Sequence, residues 1–187
     1  MSTLKLAAAF AVLASPALAS GIEIEVAGEG ANGTIVIDLF EDVAPQHAAR
    51  IADLAAKGEY DNVAFHRVIQ GFMAQTGDVQ FGDVSSEDYD ARYSGRGGSD
   101  QQDLPAEFSD LSFERGVVGM ARSQSPNSAN SQFFIMFDEG TFLNGQYTVV
   151  GKVTEGMDVV DAIKRGHRQS GAITGAPDVM KKVTVTE

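Results

Sequence analysis

The stretch FHRVIQGFMAQ, residues 65–75, places isolated polar residues within a run that is otherwise apolar. Residues 63–69 and 72–75 are rich in β-branched and aromatic side chains, so both are predicted to form strands. Arg67 therefore falls on a strand that is otherwise suited to burial. A buried guanidinium needs a partner or a function, and the pattern alone leaves open whether Arg67 makes a structural ion pair or serves a site.

Short predicted strands dominate the rest of the chain. Residues 22–26 alternate apolar and charged side chains, the period of a half-buried strand. Pro45 opens a predicted helix that stops at Gly58, and residues 157–165 predict a second helix. Because about eight strands follow one another without alternating helices, we expect a mainly β fold: a closed eight-stranded antiparallel β-barrel capped by two helices. Further strands are predicted at 34–40, 117–121, 132–137, 147–153 and 183–186.

Residues 77–112 show little periodicity, and they contain five glycines, nine carboxylates and only two basic residues. A segment this long inside a compact domain is usually functional, or it indicates that structural elements have been misassigned. Its acidic run lacks the spacing of a calcium-binding EF-hand loop. The glycines at 95, 97 and 98 do not clearly join a strand to a helix, so we interpret them as part of a flexible loop.

Residues 1–19 have the pattern of a cleaved export signal. Lys5 gives a positive start, residues 6–14 are continuously apolar, and Ala17-Leu18-Ala19 matches an A-x-A cleavage site. The alternative is a short N-terminal core helix. We expect cleavage after Ala19, which leaves residues 20–187 as one domain, and we expect the mature protein in the periplasm.

Composition excludes several classes of function. The 26 acidic residues against 14 basic ones oppose binding to nucleic acid or to an anionic membrane. There is no cysteine, so neither a disulfide nor a thiol nucleophile is available. His47, His66 and His167 lack metal-ligand spacing, and the sequence has neither a G-x-S-x-G elbow nor a P-loop. We expect no metal, no cofactor and a monomer.

Three stretches together resemble the cyclophilins. FHRVIxGFMxQ at 65–75, SQFFI at 131–135 and FLNGQYTVVGKV at 142–153 stand in the order and spacing of that family. The match covers about residues 22–186. The resemblance implies a peptidyl-prolyl cis/trans isomerase of the bacterial exported kind, which acts without a cofactor on proline-containing unfolded or flexible polypeptides.

The resemblance also implies individual roles. Arg67 would donate an N–H to the amide nitrogen of the twisting X-Pro bond, and Gln75 would orient Arg67 and bond the substrate backbone. The other implied residues bind substrate: Phe72, Met73, Phe134 and Leu143 around the proline ring, Ala121, Gln132 and the backbone of Arg122 in the groove for the preceding residues, and Phe142 and Tyr147 at the rim.

Three positions depart from the best-known eukaryotic pattern. Phe142 stands where tryptophan is frequent, Tyr147 replaces a histidine and Arg122 replaces an asparagine. These departures bear on inhibitor binding, such as that of cyclosporin, more than on catalysis.

Two other functions stay open. One is a peptide-binding module on the same fold without catalysis, which would not need Arg67. The other is a barrel that carries a small apolar ligand, which would require an open interior.

Overall fold

The computed structural model describes residues 21–187 and consists mainly of short β-strands with two α-helices. The predicted signal segment at 1–19 lies outside the described residues. The helices are α1 (Pro45–Ala56) and α2 (Met157–Ala162), and a 3-10 turn covers Thr141–Leu143. The strands are β1 (Gly21–Ala27), β2 (Gly33–Leu39), β3 (Val63–Ala64), β4 (Arg67–Ile69), β5 (Met73–Thr76), β6 (Val117–Met120), β7 (Phe133–Met136), β8 (Val149–Glu155) and β9 (Val179–Thr186).

The described strands form one antiparallel sheet of nine strands, in the order β3-β9-β1-β2-β8-β6-β7-β5-β4. This sheet is an open, curled half-barrel, so the predicted closed eight-stranded barrel is wrong. The prediction fails at residues 63–69, which form two short strands, β3 and β4, instead of the one strand that the sequence predicts. The chain changes partners there: the Phe65 N–H donates to the Asp178 carbonyl, whereas the His66 N–H donates to the Gln75 carbonyl. As a result β3 and β4 lie at opposite ends of the hydrogen-bonded order.

The alternating pattern at the start of the domain forms the expected half-buried strand. Ile22, Ile24 and Val26 of β1 are buried, whereas Glu23 and Glu25 are exposed. β1 pairs with β2 on one side and β9 on the other. One face of the sheet therefore supplies the core, as period-two alternation requires.

A distant carboxylate caps the N-terminus of helix α1. Pro45 occupies the first turn, and no side chain of the N-cap residue Ala44 accepts a bond. Glu107 instead accepts hydrogen bonds from the Gln46 and His47 backbone N–H groups at about 3.1 Å and lies 2.6 Å from His47 Nδ1. A carboxylate at this position satisfies unpaired N–H groups and matches the helix dipole.

Helix α2 is shorter than predicted because its C-terminal residues bond elsewhere. Ile163 leaves the helical conformation with ψ of 129° and is buried in the core. The next N–H, of Lys164, donates to the carboxylate of Asp178 at 2.7 Å. The tertiary contacts thus end the helix at Ala162, three residues before the predicted end at 165.

Side chains fill the concave side of the sheet. Tyr60, Phe65, Phe133, Ile24 and Ile35 are fully buried members of one continuous cluster. This filled interior argues against a barrel that holds a small apolar ligand. A second cluster, which includes Met73, Phe113, Phe134 and Leu143, lies apart from the first and forms the floor of the site described below. Within residues 21–187, no helix is long and apolar enough to cross a membrane.

Candidate active site

The pairing of β4 with β5 places Arg67 directly opposite Gln75. Arg67 Nη1 donates to Gln75 Oε1 at 3.2 Å, and Arg67 Nε donates to the Ser170 carbonyl at 3.2 Å. The two residues are neighbours because a tight turn, closed by the bond from Phe72 N–H to the Ile69 carbonyl, joins the strands. The sequence segment 65–75 therefore builds this pair by itself.

The guanidinium of Arg67 is half-buried and has no anionic partner. Among residues 21–187, no carboxylate lies within ion-pair distance of it. Burial lowers the pKa of Arg67, yet an arginine stays charged at physiological pH. In the described part of the chain, Nη2 has no hydrogen-bond partner. A structural ion pair is therefore excluded there, and a charged donor stays available.

Beside Arg67 lies an apolar pocket of about 420 Å³. Its floor is formed by the buried side chains of Met73, Phe134 and Leu143. At the rim, Phe142 is 64 % exposed, and its ring centroid lies 5.4 Å from that of Phe72. The pocket contains ten of the predicted site residues: Arg67, Phe72, Met73, Gln75, Ala121, Arg122, Phe134, Phe142, Leu143 and Tyr147.

A second, more polar groove of about 400 Å³ adjoins the first. It contains Gln132, the one predicted site residue that does not line the apolar pocket. The two cavities share Gln75, Ala121 and Arg122. An extended polypeptide could therefore occupy both, with an apolar residue in the pocket and its neighbours in the polar groove.

The side chain of Arg122 braces the wall between the two cavities. Its Nη2 donates to the Gln146 carbonyl at 2.9 Å, and its Nη1 donates to the Ser123 carbonyl at 2.9 Å. The guanidinium also lies 4.3 Å from the centre of the Tyr147 ring, a cation–π distance. The predicted role of Arg122 involved only its backbone, so this bracing is an addition from the structure.

Burial keeps His66, the neighbour of Arg67, uncharged near neutrality. Neither ring nitrogen has a hydrogen-bond partner among the described residues. Burial lowers the pKa of His66 to about 4, although the nearby carboxylate of Asp78 acts in the opposite direction. At neutral pH, His66 therefore adds no positive charge beside Arg67.

Several residues that line the cavities were missed by the sequence analysis. Gln146 borders the apolar pocket, and the polar groove is lined by Asn130, Asp103 and the loop 95–99. The glycine cluster in that loop is the sequence signal for this lining, because close backbone contacts at Gly95, Gly97 and Gly98 leave no room for a Cβ atom; the sequence pattern by itself predicts only a flexible loop. The described residues contain no cluster of His, Cys, Asp or Glu arranged to hold a metal ion.

Comparison with known proteins agrees with this geometry. The family model described as "Cyclophilin type peptidyl-prolyl cis-trans isomerase/CLD" matches residues 22–185. The "Probable peptidyl-prolyl cis-trans isomerase" of Brucella suis is 58 % identical over 154 residues, which cover 82 % of this chain and 78 % of the relative. "Peptidyl-prolyl cis-trans isomerase B" of Escherichia coli K12 is 36 % identical over 169 residues, with 83 % and 96 % covered.

Solved structures show the same fold. A crystal structure of a cyclophilin-type isomerase from Cryptosporidium parvum, obtained in the presence of the dipeptide Ala-Pro, superposes with a TM-score of 0.72 at 26 % identity. The superposition covers 89 % of this chain and 99 % of the other. Sequence, fold and site agree, and the chain belongs to the cyclophilin-type peptidyl-prolyl cis-trans isomerase family.

Proposed function

We propose that this protein accelerates the cis/trans isomerisation of X-Pro bonds in exported polypeptides, with Arg67 as the catalytic donor. The observation that supports this proposal most directly is the half-buried guanidinium of Arg67, which has no carboxylate partner in residues 21–187 and borders an apolar pocket. Burying a charged group without an oppositely charged partner raises the free energy of the folded protein, so such an arginine is expected to serve a site.

Catalysis by Arg67 follows from the nature of the barrier. Rotation of a peptide bond requires about 18–20 kcal/mol because the amide is stabilised by resonance, and an X-Pro bond isomerises in roughly 10–100 s at 25 °C. A 10⁵-fold acceleration corresponds to lowering the barrier by about 7 kcal/mol. In the twisted amide the nitrogen becomes pyramidal and regains its lone pair. An N–H of Arg67 directed at that lone pair stabilises the twisted state more than the planar one.

The remaining site residues hold the substrate. Phe72, Met73, Phe134 and Leu143 would enclose the proline ring, with Phe142 and Tyr147 at the rim. The polar groove at Ala121, Arg122 and Gln132 would bind the residues before proline, and Gln75 would both hold Arg67 and bond the substrate backbone. The reaction makes and breaks no covalent bond, so these residues have only to bind, orient and polarise.

The activity is tested with a short X-Pro peptide whose cis and trans forms are distinguished by NMR exchange. We expect exchange to be accelerated by catalytic amounts of the protein. Peptide binding without acceleration would instead favour a peptide-binding module on the same fold.

The export part of this proposal has a separate basis. Lys5, the apolar residues 6–14 and Ala17-Leu18-Ala19 form the pattern of a cleaved signal. The clients would then be proline-containing chains that fold in the periplasm after export. N-terminal sequencing of the protein from fractionated cells tests this. We expect a start at Ser20 in the periplasmic fraction, and mature protein that retains Met1 in the cytoplasm would overturn it.

A further inference from the structure

Asp78 is a fully buried carboxylate that follows the end of strand β5 in the sequence, and the mechanism above does not use it. Its Oδ1 accepts the N–H groups of Gln80 and Phe81 at 3.1 and 3.0 Å. Its Oδ2 accepts the N–H groups of Gly95 and Gly97 at 2.7 and 3.0 Å. In residues 21–187 no cation lies within ion-pair distance of Asp78. Four backbone donors therefore stabilise this charge.

The contact between Asp78 and the glycine loop is close enough to require glycine. A Cβ atom at residue 97 would lie 2.6 Å from Asp78 Oδ1, and one at residue 95 would lie 2.7 Å from His66 Cδ2. Gly95 also has φ of 95°, a conformation that other residues rarely adopt. The carboxylate thus fixes the position of a loop that the sequence pattern alone suggested to be flexible.

From this loop a chain of hydrogen bonds leads to Arg67. The Gly97 carbonyl accepts from Gln132 Nε2 at 2.8 Å, and Gln132 Oε1 accepts from Gln75 Nε2 at 2.9 Å. Gln75 Oε1 then accepts from Arg67 Nη1 at 3.2 Å. A carbonyl oxygen can only accept. The Gly97 carbonyl therefore requires the NH₂ group of Gln132 to face Gly97. The Oε1 atom of Gln132 then faces Gln75, and the Oε1 atom of Gln75 in turn faces Arg67.

We propose that Asp78 is a positioning residue for Arg67, which acts by fixing the Gly97 carbonyl and hence the orientation of the Gln132 and Gln75 amides. If the Gly97 carbonyl were no longer held in place, the side-chain amide of Gln132 could flip and present its NH₂ group to Gln75. Gln75 could then present its NH₂ group to Arg67, and two donors would face each other in place of a hydrogen bond. This inference rests on the catalytic role proposed for Arg67.

The test compares Asp78→Asn with Asp178→Asn. Asparagine preserves the size of the side chain but replaces one acceptor oxygen with an NH₂ group, which would face backbone N–H donors. Asp178 is a matched control because it is also buried and accepts the N–H groups of Gly30 and Lys164 at 2.9 and 2.7 Å. It has no hydrogen bond to Gly97, Gln132 or Gln75.

The measured quantities are kcat and KM for an X-Pro peptide, at a temperature where urea unfolding shows both variants to be folded. We expect Asp78→Asn to lower kcat at least tenfold while KM changes less than threefold. Asp178→Asn should leave both values within twofold of the wild type. The ¹⁵N NMR signal of Arg67 Nε should shift in Asp78→Asn and not in Asp178→Asn.

A double variant separates positioning from general loosening of the fold. Once Gln132→Leu has broken the chain of bonds, adding Asp78→Asn should lower kcat less than twofold further. Independent, multiplicative losses would contradict the proposal, and so would equal losses in the two aspartate variants.

If Asp78→Asn does not fold, titration of the wild type with an Ala-Pro peptide replaces it. The backbone N–H groups of Gln80 and Phe81 donate to Asp78 Oδ1, the oxygen that does not bond the glycine loop, and neither residue lines the apolar pocket or the polar groove. Their backbone amide signals should shift, whereas that of Gly30, which bonds Asp178, should not. Unshifted Gln80 and Phe81 signals would overturn the inference. Wild-type kcat in Asp78→Asn beside an inactive Arg67→Ala refutes only the positioning role, whereas an active Arg67→Ala refutes the proposed catalytic mechanism itself.

Discussion

Arg67 Nη1 lies 3.2 Å from Gln75 Oε1, across the antiparallel pair of β4 with β5. Gln75 also donates to Gln132 at 2.9 Å, so one amide links the guanidinium to the polar groove. Arg67 Nη1 donates to Gln75 and Arg67 Nε donates to the Ser170 carbonyl, whereas Nη2 has no hydrogen-bond partner in the described chain. The arrangement makes the arginine rigid without neutralising its charge.

We expect Gln75→Leu to lower kcat/KM about tenfold, which is about 1.4 kcal/mol of transition-state stabilisation. Leucine keeps much of the volume of glutamine but removes the acceptor for Arg67 and the donor to Gln132. The measurement is the catalysed exchange rate of an X-Pro peptide. Gln70→Leu is the control: Gln70 is exposed, and its side chain accepts a bond from Arg165 rather than from Arg67. Equal activity of the two variants would contradict the role of Gln75.

We expect Glu107→Ala to destabilise the fold by about 1–3 kcal/mol because it leaves the N–H groups at the start of α1 and the buried ring of His47 without their acceptor. Urea unfolding at pH 7 measures this. Glu59→Ala serves as a comparison, since no hydrogen bond or ion pair of the Glu59 side chain is present in the described chain, and it should change stability by less than about 0.5 kcal/mol. Catalysis per folded molecule should not change, because Glu107 lines neither cavity.

Acidification should destabilise the protein through His66. Its pKa is about 4 when folded and near 6.5 when unfolded. The unfolded chain therefore binds an additional proton between these values, and stability is lost as the pH falls from about 6.5 toward 4. The loss amounts to at most about 3–4 kcal/mol.

Urea unfolding of the wild type and of His66→Phe between pH 7 and 5 tests this contribution. Phenylalanine keeps a ring in the buried site without a titrating group. The difference in unfolding free energy between the two proteins should change with pH in the stated direction. Parallel pH dependences would show that His66 does not contribute.

The wild type should bind cyclosporin weakly, and Phe142→Trp should improve drug binding more than peptide turnover. Phe142 is largely exposed at the rim beside Phe72 and has no hydrogen-bond donor. An indole N–H could donate to a drug carbonyl, and such a bond contributes about 0.5–1.5 kcal/mol. Titration of both proteins with drug, together with kcat/KM for a peptide, decides the matter. Tight binding by the wild type, or no gain from tryptophan, would contradict the argument.

Local patterns predicted much of the fold. Alternation identified β1, and the apolar spacing after Pro45 identified α1, because both signals come from neighbours in sequence. Closure of the sheet could not be predicted in this way. The partner change between Phe65 and His66 depends on the carbonyl of Asp178, which lies far along the chain, just before β9, whereas Gln75 belongs to the same local segment.

The candidate site was likewise predictable only where the signal lies in neighbouring residues. Motif resemblance brought together residues that the structure places in two joined cavities, although their catalytic roles stay predictions. It did not find the Arg122 brace, because that depends on the carbonyl of Gln146. Nor did it find the link from Asp78 through Gly97 to Gln132, since hydrogen bonds between distant loop residues leave no periodic pattern.

The central claim, that an unpaired charged donor at residue 67 catalyses the rotation, is tested most directly by Arg67→Ala. The comparison protein is Arg92→Ala, which removes an exposed arginine paired with Asp90 in the acidic loop. The measurement is kcat/KM for an X-Pro peptide, with circular dichroism and urea unfolding to verify that both variants fold. We predict a loss of at least tenfold in Arg67→Ala, equivalent to about 1.4 kcal/mol or more, and activity within twofold of the wild type in Arg92→Ala. Wild-type activity in folded Arg67→Ala would contradict the account.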